Sequence, residues 1–380
     1  AVPDLAARLG DSDRNVRRAA TAALATTLVP GAANEQTVAA LVPLLGDPDP
    51  DLGLLAAEAL GRCGPLARAA EPGLRKLLDS GDPDARLAAL HALGQIDPHD
   101  DELIAADIAA LNAPDDIKRQ HAMTAIAAFG AAAVPRLTSA LSGPEQGATA
   151  AAETLGRIGP AAAAAVPALS RLLDDPRRYV RRCAVRALGQ IGPPAADAVP
   201  ALLALLQDNT RIERDEDRRE IAQALGGIGP AAAPAVPTLA TLVRNGGEVG
   251  ADAAKALGGI GPAAAPAIPD LSLALHSWPF YRDTLPIVLG KIGSEQGVPA
   301  LVDALGESSL AMNCAALAAL TLIGPKAIPP LETALGAVPT LDSADDANRR
   351  YKIQAAIKHL RTGDPEPVEC RTIFAELRLR

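Results

Sequence analysis

The sequence contains very few aromatic residues, and this scarcity limits how its core is built. Trp, Tyr and Phe make up 2% of the 380 residues, although 49% of the residues are hydrophobic. The core must therefore consist mainly of Ala, Leu, Val and Ile, side chains small enough to let helices approach each other closely. A core centred on packed aromatic rings is excluded.

The chain also lacks an excess of positive charge. It carries 36 Lys and Arg against 45 Asp and Glu, a formal net charge of −9. Because nucleic-acid-binding proteins normally present a basic surface, the composition disfavours a nucleic-acid partner. A local cluster keeps that alternative open, and its members are Arg177, Arg178, Arg181, Arg182 and Arg186.

Cysteine and histidine are too few and too far apart in the sequence to indicate a set of disulfides or a metal site. The four cysteines, Cys63, Cys183, Cys314 and Cys370, show no Cys-x-x-Cys spacing. We interpret them as buried apolar side chains or incidental thiols, and not as a disulfide or metal frame. The acidic turn 97–102, which includes a histidine, matches no metal-binding loop, so we predict neither a metal nor another cofactor.

Catalytic motifs are absent as well. The sequence has no Gly-x-Ser-x-Gly, no P-loop and no dinucleotide-binding glycine motif in its proper context. The Gly-Gly-Ile-Gly-Pro strings end helices and follow no strand, so they are not phosphate loops. We therefore predict that the protein is not an enzyme.

No hydrophobic run is free of helix breakers. The longest uncharged stretch, 221–243, contains three prolines and several glycines, which is typical of a repeat junction and not of a membrane helix. We expect a soluble chain without a signal peptide or membrane insertion, and no compartment is indicated. Val2-Pro3-Asp4-Leu5 already matches the middle of a repeat, so we expect a fragment of a longer protein.

What the chain does have is an internal repeat. A leucine or isoleucine returns every 29 to 37 residues, in the clearest copies followed by Gly-x-Ile-Gly-Pro. A period of this size is typical of stacked helical repeats. We call the recurring residues ruler positions, and they are Leu24, Leu60, Leu93, Ile126, Leu155, Leu188, Leu225, Leu257, Leu289, Leu320 and Ile357.

Residues 160–192 show the plan of one repeat. Leucines at i, i+3 and i+4 from Leu169 indicate a first helix, helix A, that ends at Asp174-Asp175-Pro176. A second helix, helix B, runs from Tyr179 to Ile191 with one apolar stripe. Gly192-Pro193 ends it, because glycine accepts a positive φ and proline cannot continue a helix.

This plan predicts an all-α fold, a right-handed α-solenoid of about eleven helix pairs over residues 1–363. Residues 364–380 are predicted to be a capping tail with a helix from Val368 to Arg380, because a terminal repeat needs a cover for its apolar face. The residues expected on the apolar side of that cap are Val368, Ile373, Phe374 and Leu377.

The repeat resembles the HEAT family, most closely the bacterial HEAT-like repeats named after phycobilisome lyases. Residues 175–192 carry the resemblance: an Asp-Pro turn, Val180-Arg181 near the start of helix B, and Ala-Leu-Gly-Gln-Ile-Gly at its end. Since this family hosts scaffolds, lyases, hydroxylases and DNA glycosylases, it implies a fold and not a function. It also implies that a recurring arginine pairs with turn aspartates and ties neighbouring repeats, the alternative being a row of ligand-binding arginines. Seven repeats have this arginine, namely Arg17, Arg86, Arg119, Arg181, Arg218, Arg282 and Arg350.

The predicted binding surface is the concave face, lined by the side of helix B opposite its apolar stripe. Its charges are of both signs, which suits a protein or peptide better than a phosphate backbone. Residues four apart on this face alternatively pair with each other, as Glu58 with Arg62 or Glu153 with Arg157. The candidates are Glu58, Arg62, His91, Gln95, His121, Glu153, Arg157, Arg186, Gln190, Lys255 and Lys291.

A second candidate site is the turn that holds Trp278, Phe280, Tyr281 and Arg282. It contains three of the seven aromatic residues, whereas sister turns carry glycine and polar residues. Aromatic and arginine side chains are common at binding hot spots, so we expect these rings to be exposed on one patch. The alternative is that they fill a gap in their own repeat. The charged segment 207–220 is interpreted as a solvated turn with an insertion, the alternative being a docking element.

The predicted function is a non-enzymatic interaction scaffold that binds a protein or peptide along the concave face of the solenoid. Three alternatives remain open from the sequence: a phycobilin lyase-like subunit, a nucleic-acid-binding HEAT-like protein, and a purely architectural spacer. The sequence does not indicate the oligomeric state.

Overall fold

The computed structural model describes residues 2–28, 33–78, 82–97, 101–208, 214–278, 284–307, 309–338 and 344–363. Within these ranges 22 α-helices alternate as eleven A–B pairs, and no strand occurs. The predicted all-α solenoid is therefore confirmed. The capping segment 364–380, with Val368, Ile373, Phe374 and Leu377, lies outside the described residues.

The first compact unit, residues 1–168, contains five pairs. Its A helices are α1 (Val2–Arg8), α3 (Glu35–Leu41), α5 (Glu71–Leu78), α7 (Asp101–Ala110) and α9 (Val134–Ala140). Its B helices are α2 (Arg14–Thr27), α4 (Pro50–Arg62), α6 (Pro83–Ile96), α8 (Asp116–Ala128) and α10 (Glu145–Ile158).

The second compact unit, residues 169–380, takes up six pairs, of which the first begins just before the boundary. Its A helices are α11 (Val166–Arg171), α13 (Val199–Gln207), α15 (Val236–Asn245), α17 (Ile268–Ser277), α19 (Val298–Gly306) and α21 (Ile328–Ala337). Its B helices are α12 (Arg178–Ile191), α14 (Asp215–Ile228), α16 (Gly247–Ile260), α18 (Leu285–Ile292), α20 (Leu310–Ile323) and α22 (Ala344–Thr362).

The ruler positions form the spine of the core. All eleven are buried, and the most exposed of them, Ile357, has only 6% of its surface accessible. Within each unit the B helices that carry them pack on one another, as α4 does on α6 and α14 on α16. Repeating one buried aliphatic side chain gives successive repeats the same kind of contact with their neighbours.

Adjacent B helices approach closely because a glycine follows the ruler leucine. A Cβ at Gly189 would lie 2.7 Å from the Cα of Ala224, and one at Gly226 would lie 2.8 Å from the Cα of Ala256. The residue opposite each glycine is the alanine that precedes the next ruler position. The Ala-Leu-Gly triplet is therefore a contact motif between consecutive repeats, and not only a helix-ending signal.

The Gly-Pro signals end the B helices as predicted. Gly159, Gly192, Gly229 and Gly261 have φ between 68° and 79°, a region that side-chain-bearing residues rarely adopt. A short 3₁₀ segment such as Gly229–Ala235 follows and leads into helix A. The Val-Pro pair then starts helix A, because proline is accepted in the first helical turn.

Two stretches have the length and hydropathy of a membrane span, Asp215–Asn245 and Leu310–Ala337. Each consists of a B helix and the following A helix, joined through a glycine of positive φ, Gly229 or Gly324. About half of each apolar window, 44% and 56%, is buried inside the protein. These stretches are thus repeat junctions by their structure, as predicted for 221–243.

Candidate binding groove

A groove of about 1080 Å³ lies between the B helices α4 and α6, within the first unit. On α4 it is lined by Leu54, Glu58 and Arg62. These residues are four apart, so they follow one face of the helix over about 12 Å. Leu54 is half-buried, and the two charged side chains are exposed at the rim.

The opposite wall of the groove is one face of α6. Asp84, Ala88, His91 and Gln95 contribute to it, and their spacing of four, three and four residues follows the helix for about 16 Å. Asp84 lies in the first turn of α6, while Gln95 lies near its end. Asp84, His91 and Gln95 are exposed and Ala88 is buried.

Small side chains form the floor between the two helices. Gly61, Cys63, Ala88 and Ala92 line it, and all are buried. A Cβ at Gly61 would meet the Gln95 Oε1 at 2.6 Å and the Ala92 Cα at 3.0 Å, so no larger residue fits there without displacing α6. The groove combines an apolar floor with a polar rim, the usual composition of a recognition site.

The groove brings together four residues of the predicted binding surface, Glu58, Arg62, His91 and Gln95. Because the repeat places them at equivalent positions on two neighbouring B helices, they face each other across the floor. Within the described residues, Glu58 and Arg62 form no ion pair with each other or with any other side chain. The structure therefore contradicts the alternative in which these two charges pair with each other along α4.

The other predicted residues of this surface lie on B helices outside the groove. Arg157 donates a hydrogen bond to Gln120 at 2.8 Å, and Lys255 pairs with Asp252 at 3.0 Å. Arg186 lies 3.6 Å from the Cys183 sulfur. Glu153 is half-buried, Gln190 and Lys291 are exposed, and the side chain of His121 lies outside the described part of the structure.

Ion pairs between consecutive B helices form a ladder that the sequence interpretation missed. In three repeats an arginine six residues before the ruler position binds an acidic residue nine residues before the next ruler position. We call these ladder arginines, and the three pairs are Arg18 with Asp51, Arg182 with Glu216, and Arg219 with Glu248. Two of them bind a second acid, Arg182 to Glu220 and Arg219 to Asp252.

The interpretation of 207–220 as a solvated turn was accordingly wrong for its second half. Residues 215–219 belong to α14, and Asp217 is buried beside Arg178 at 2.9 Å. Residues 209–213 lie outside the described residues. The acids and arginines of this segment are spaced to meet partners one repeat away, so reading the segment alone could not separate a ladder from a loop.

At the groove, the ladder is interrupted. The position six residues before the ruler of repeat 2 holds Leu54, although Asp84 still occupies the acidic position of repeat 3. The Asp84 side chain forms no hydrogen bond or ion pair within the described residues. Leu54 therefore leaves open the space that a ladder arginine fills at other junctions.

The basic cluster of repeat 6 serves the protein's own structure. Arg177 pairs with Asp175 at 2.7 Å, and Arg178 and Arg182 pair with acids of the next B helix. Arg181 donates to the backbone carbonyl of Asp175 at 2.8 Å. These four cations are already neutralised or hydrogen-bonded, which disfavours the nucleic-acid alternative that they represented.

The recurring HEAT-type arginines act within their own repeat more than between repeats. Arg119 donates to the carbonyl of Ala113 at 2.6 Å, and Arg350 to that of Val338 at 2.7 Å, in the turn before helix B. Pairing with an aspartate of the neighbouring repeat is seen for Arg17, which lies 3.4 Å from Asp47. Arg282 lies outside the described residues.

The prediction of an exposed aromatic patch is wrong for Trp278. This residue is buried, with 9% of its surface exposed, and its ring lies over Gly246 and Gly250, where added Cβ atoms would meet it at 3.5 and 3.1 Å. These glycines leave the space that the indole fills, so Trp278 packs against the inter-helix turn of the preceding repeat. Phe280, Tyr281 and Arg282 lie outside the described residues.

One cysteine also departs from expectation. Cys63 and Cys183 are buried thiols that form no disulfide, as predicted, but Cys314 on α20 is disulfide-bonded. The other cysteine of that bond lies outside the described residues. The wide spacing of cysteines along the chain could not exclude a disulfide, because residues far apart in the sequence can be close in the fold.

The cysteines supply a test by alkylation. Burial raises the pKa of the Cys63 thiol to about 11, so at pH 8 roughly one molecule in a thousand carries the reactive thiolate. We expect iodoacetamide to label Cys63 and Cys183 only after unfolding, and Cys314 only after unfolding and reduction. Peptide mass spectrometry would read out each site, and rapid labelling of folded protein at Cys314 would contradict the assignment.

The ladder predicts a dependence on pH. Burial of Asp252 would raise its pKa, but hydrogen bonds from Arg219 and Lys255 outweigh this effect and lower it. A carboxyl whose pKa is lower in the folded than in the unfolded state stabilises the fold above the unfolded pKa of about 3.9, and this contribution is lost as pH falls through the folded pKa.

We therefore expect the melting temperature to fall between pH 5 and 3, and to fall less steeply in Asp252→Asn. Thermal melts followed by circular dichroism at closely spaced pH values would measure both slopes. Asp84→Asn is the matched control, because its carboxylate has no partner within the described residues. Identical slopes for wild type and Asp252→Asn would contradict the ladder's role.

A stack of helix pairs joined by buried ruler leucines and Gly-Pro breaks defines the chain as an α-solenoid repeat protein. The family model for HEAT repeats matches residues 2–72, 38–107 and 143–216. These parts of the chain match the HEAT-repeat model, in agreement with the resemblance that the residue pattern indicated. None of the curated proteins compared with the sequence matches it.

Solved structures with the same architecture include karyopherins. Kap121p bound to Nup53p has a TM-score of 0.53 and 14% identity, over 99% of this chain and 44% of that chain. Kap121p bound to the extreme C-terminus of the protein phosphatase Cdc14p has the same score and identity, with 99% and 45% covered. A Kap95p structure with RanGDP has 0.50 and 16%, over 99% and 53%. The chain thus spans about half the length of these proteins, and at such identity the similarity shows the fold alone.

Proposed function

We propose that the chain is a non-catalytic scaffold that binds a protein segment or peptide on its B-helix face, in the groove between α4 and α6. The observation that carries this proposal is the groove itself. It is long enough for about four or five extended residues, at 3.3 Å each, and it has a buried floor with Glu58, Arg62, His91 and Gln95 at its rim.

The neighbouring solved structures support a protein partner. Kap121p is bound to Nup53p in one of them and to a terminus of Cdc14p in another. A stacked-repeat surface suits such ligands, because an extended segment can follow the groove and contact one repeat after another. The rim charges, of both signs, favour a polypeptide over a uniformly charged polymer.

The proposal also includes the type of HEAT-like repeat to which the array belongs. On the pattern of residues 175–192 we assign the array to the bacterial, phycobilisome-lyase-type branch of HEAT-like repeats, with a scaffold role and not lyase activity. Mixing the protein with a free bilin tests this separation. We expect no shift in the bilin absorption spectrum, and a shift with covalent attachment would favour the lyase alternative.

The binding proposal is tested with a phage-displayed library of random 12-residue peptides. Enriched peptides are synthesised, and their Kd is measured for wild type and for the double variant Arg62→Ala/His91→Ala. Because both side chains are exposed, we expect the fold to survive and the affinity to fall at least about tenfold, or 1.4 kcal/mol.

The matched control is Gln190→Ala/Lys291→Ala, which removes two exposed B-helix residues outside the groove. We expect this control to bind as wild type does. Equal losses in both double variants, or no loss in either, would show that the peptides bind elsewhere.

A further inference from the structure

The interrupted ladder indicates what kind of side chain the groove accepts. At three junctions an arginine from one B helix extends to an acid in the first turns of the next, as Arg18 does to Asp51. At the second of these junctions, Arg182 lies between Glu216 at 2.8 Å and Glu220 at 2.5 Å. At these three junctions the contact between consecutive repeats therefore holds a guanidinium.

The junction between α4 and α6 retains the acceptor and lacks the donor. Asp84 is equivalent to Asp51 and Glu216, whereas Leu54 is equivalent to Arg18 and Arg182. Glu58, one turn beyond Leu54, adds a second carboxylate to the same groove. Neither carboxylate has a hydrogen bond or ion pair within the described residues, so the groove has acidic groups that none of the described side chains neutralises.

We propose that this groove binds an arginine of the partner polypeptide, whose guanidinium pairs with Asp84 in the place of the missing ladder arginine. The inference rests on the function proposed above and specifies its ligand. An apolar residue beside that arginine packs on Leu54 and the alanine floor. Arginine is preferred to lysine, because its planar guanidinium forms two parallel hydrogen bonds with one carboxylate.

The residues at the other end of the groove are compatible with a peptide whose arginine pairs with Asp84. Arg62 and Gln95 line the ends of α4 and α6, where they can donate hydrogen bonds to backbone carbonyls or to an acidic residue of the peptide. The Asp84 carboxylate therefore lies towards the start of α6, and the donors Arg62 and Gln95 lie towards the other end of the groove. A partner with an arginine followed by an acidic residue matches this separation.

The test places an arginine of the protein itself in the groove. Leu54→Arg restores the ladder arginine and is expected to pair with Asp84 as Arg18 pairs with Asp51. The peptides enriched from the 12-residue library are measured against wild type, Leu54→Arg and Asp84→Asn, together with synthetic counterparts in which each arginine is replaced by glutamine.

We expect the enriched peptides to share an arginine, and their affinity to fall at least about tenfold on Arg→Gln replacement in the peptide or on Asp84→Asn in the protein. Leu54→Arg should abolish binding and keep the wild-type melting temperature. Leu322→Arg, at an exposed leucine of α20, is the control for adding one positive charge and should bind normally.

Two failures are distinguishable. Peptides that lack arginine, bind through Arg62 and His91, and tolerate Leu54→Arg would overturn this inference and leave the proposed function standing. Failure to enrich any peptide would overturn the proposed function and this inference with it. Should Leu54→Arg unfold, Asp84→Asn decides alone, because its side chain is exposed and unpaired within the described residues.

Discussion

Leu188→Ala should lower the free energy of unfolding by about 2–5 kcal/mol, the usual range for truncating a fully buried leucine. Leu188 is a ruler residue of α12 with no exposed surface. Its removal leaves a cavity in the core, which the surrounding structure closes only in part. In an array each repeat depends on its neighbours, so the loss should reach beyond repeat 6.

Urea unfolding monitored by circular dichroism would measure this change. Leu322→Ala is the matched control, since Leu322 also lies on a B helix but is 49% exposed. We expect the control to differ from wild type by less than about 1 kcal/mol. Similar losses in the two variants would show that the ruler positions are not the spine of the core.

Gly226→Val should destabilise the protein about as much as Leu188→Ala. It overpacks a close contact between helices, whereas Leu188→Ala leaves a cavity. An added Cβ would lie 2.8 Å from the Cα and 3.2 Å from the Cβ of Ala256, so α14 and α16 would have to separate. Overpacking of this kind typically costs about 1–3 kcal/mol, and more where backbone must move. The separation would also disturb the ladder pairs of Arg219 across the same junction.

Gly336→Val is the matched control, because it adds the same side chain at a helical position that has no close neighbours. Gly336 lies in α21, and a Cβ added there would have no atom within 4 Å, so valine changes only local helix propensity, by less than about 1 kcal/mol. Differential scanning calorimetry of both variants provides the comparison. A Gly226→Val protein as stable as the control would refute close packing of the B helices.

The fold was predictable because its determinants recur. A leucine or isoleucine at one position in eleven repeats, usually with alanine before it and often with glycine after it, predicts a buried helix face without knowledge of the neighbours. The Gly-Pro breaks predict where helix B ends. What the sequence did not show is that such a glycine faces the alanine of the next repeat, since that relation exists only once the repeats are stacked.

The candidate site was predictable only in part. Helical spacing placed Glu58, Arg62, His91 and Gln95 on one face, but it did not distinguish this junction from the others. The difference lies in the combination of Leu54 with a retained Asp84, which is informative only when Arg18 is seen to bind the next repeat.

Composition alone gave a wrong prediction of side-chain exposure, because exposure depends on the residues that surround a side chain in the fold. A tryptophan in an aromatic-poor chain stands out, yet Trp278 is buried because Gly246 and Gly250 leave room for its ring. In the sequence alone, those glycines indicate only a polar turn. A glycine at one turn and a large side chain at the next turn of a stack are complementary, and this pairing is a signal that repeat-by-repeat alignment could have found.

The most direct test of the central claim is a methyl NMR titration of the protein, labelled at alanine and leucine methyl groups, with a peptide selected against it. We predict that the methyl signals of Leu54, Ala88 and Ala92 shift together with increasing peptide, and that those of Leu322 and Leu273, two exposed leucines outside the groove, stay in place. Saturable shifts confined to methyl groups outside the groove would contradict peptide binding between α4 and α6.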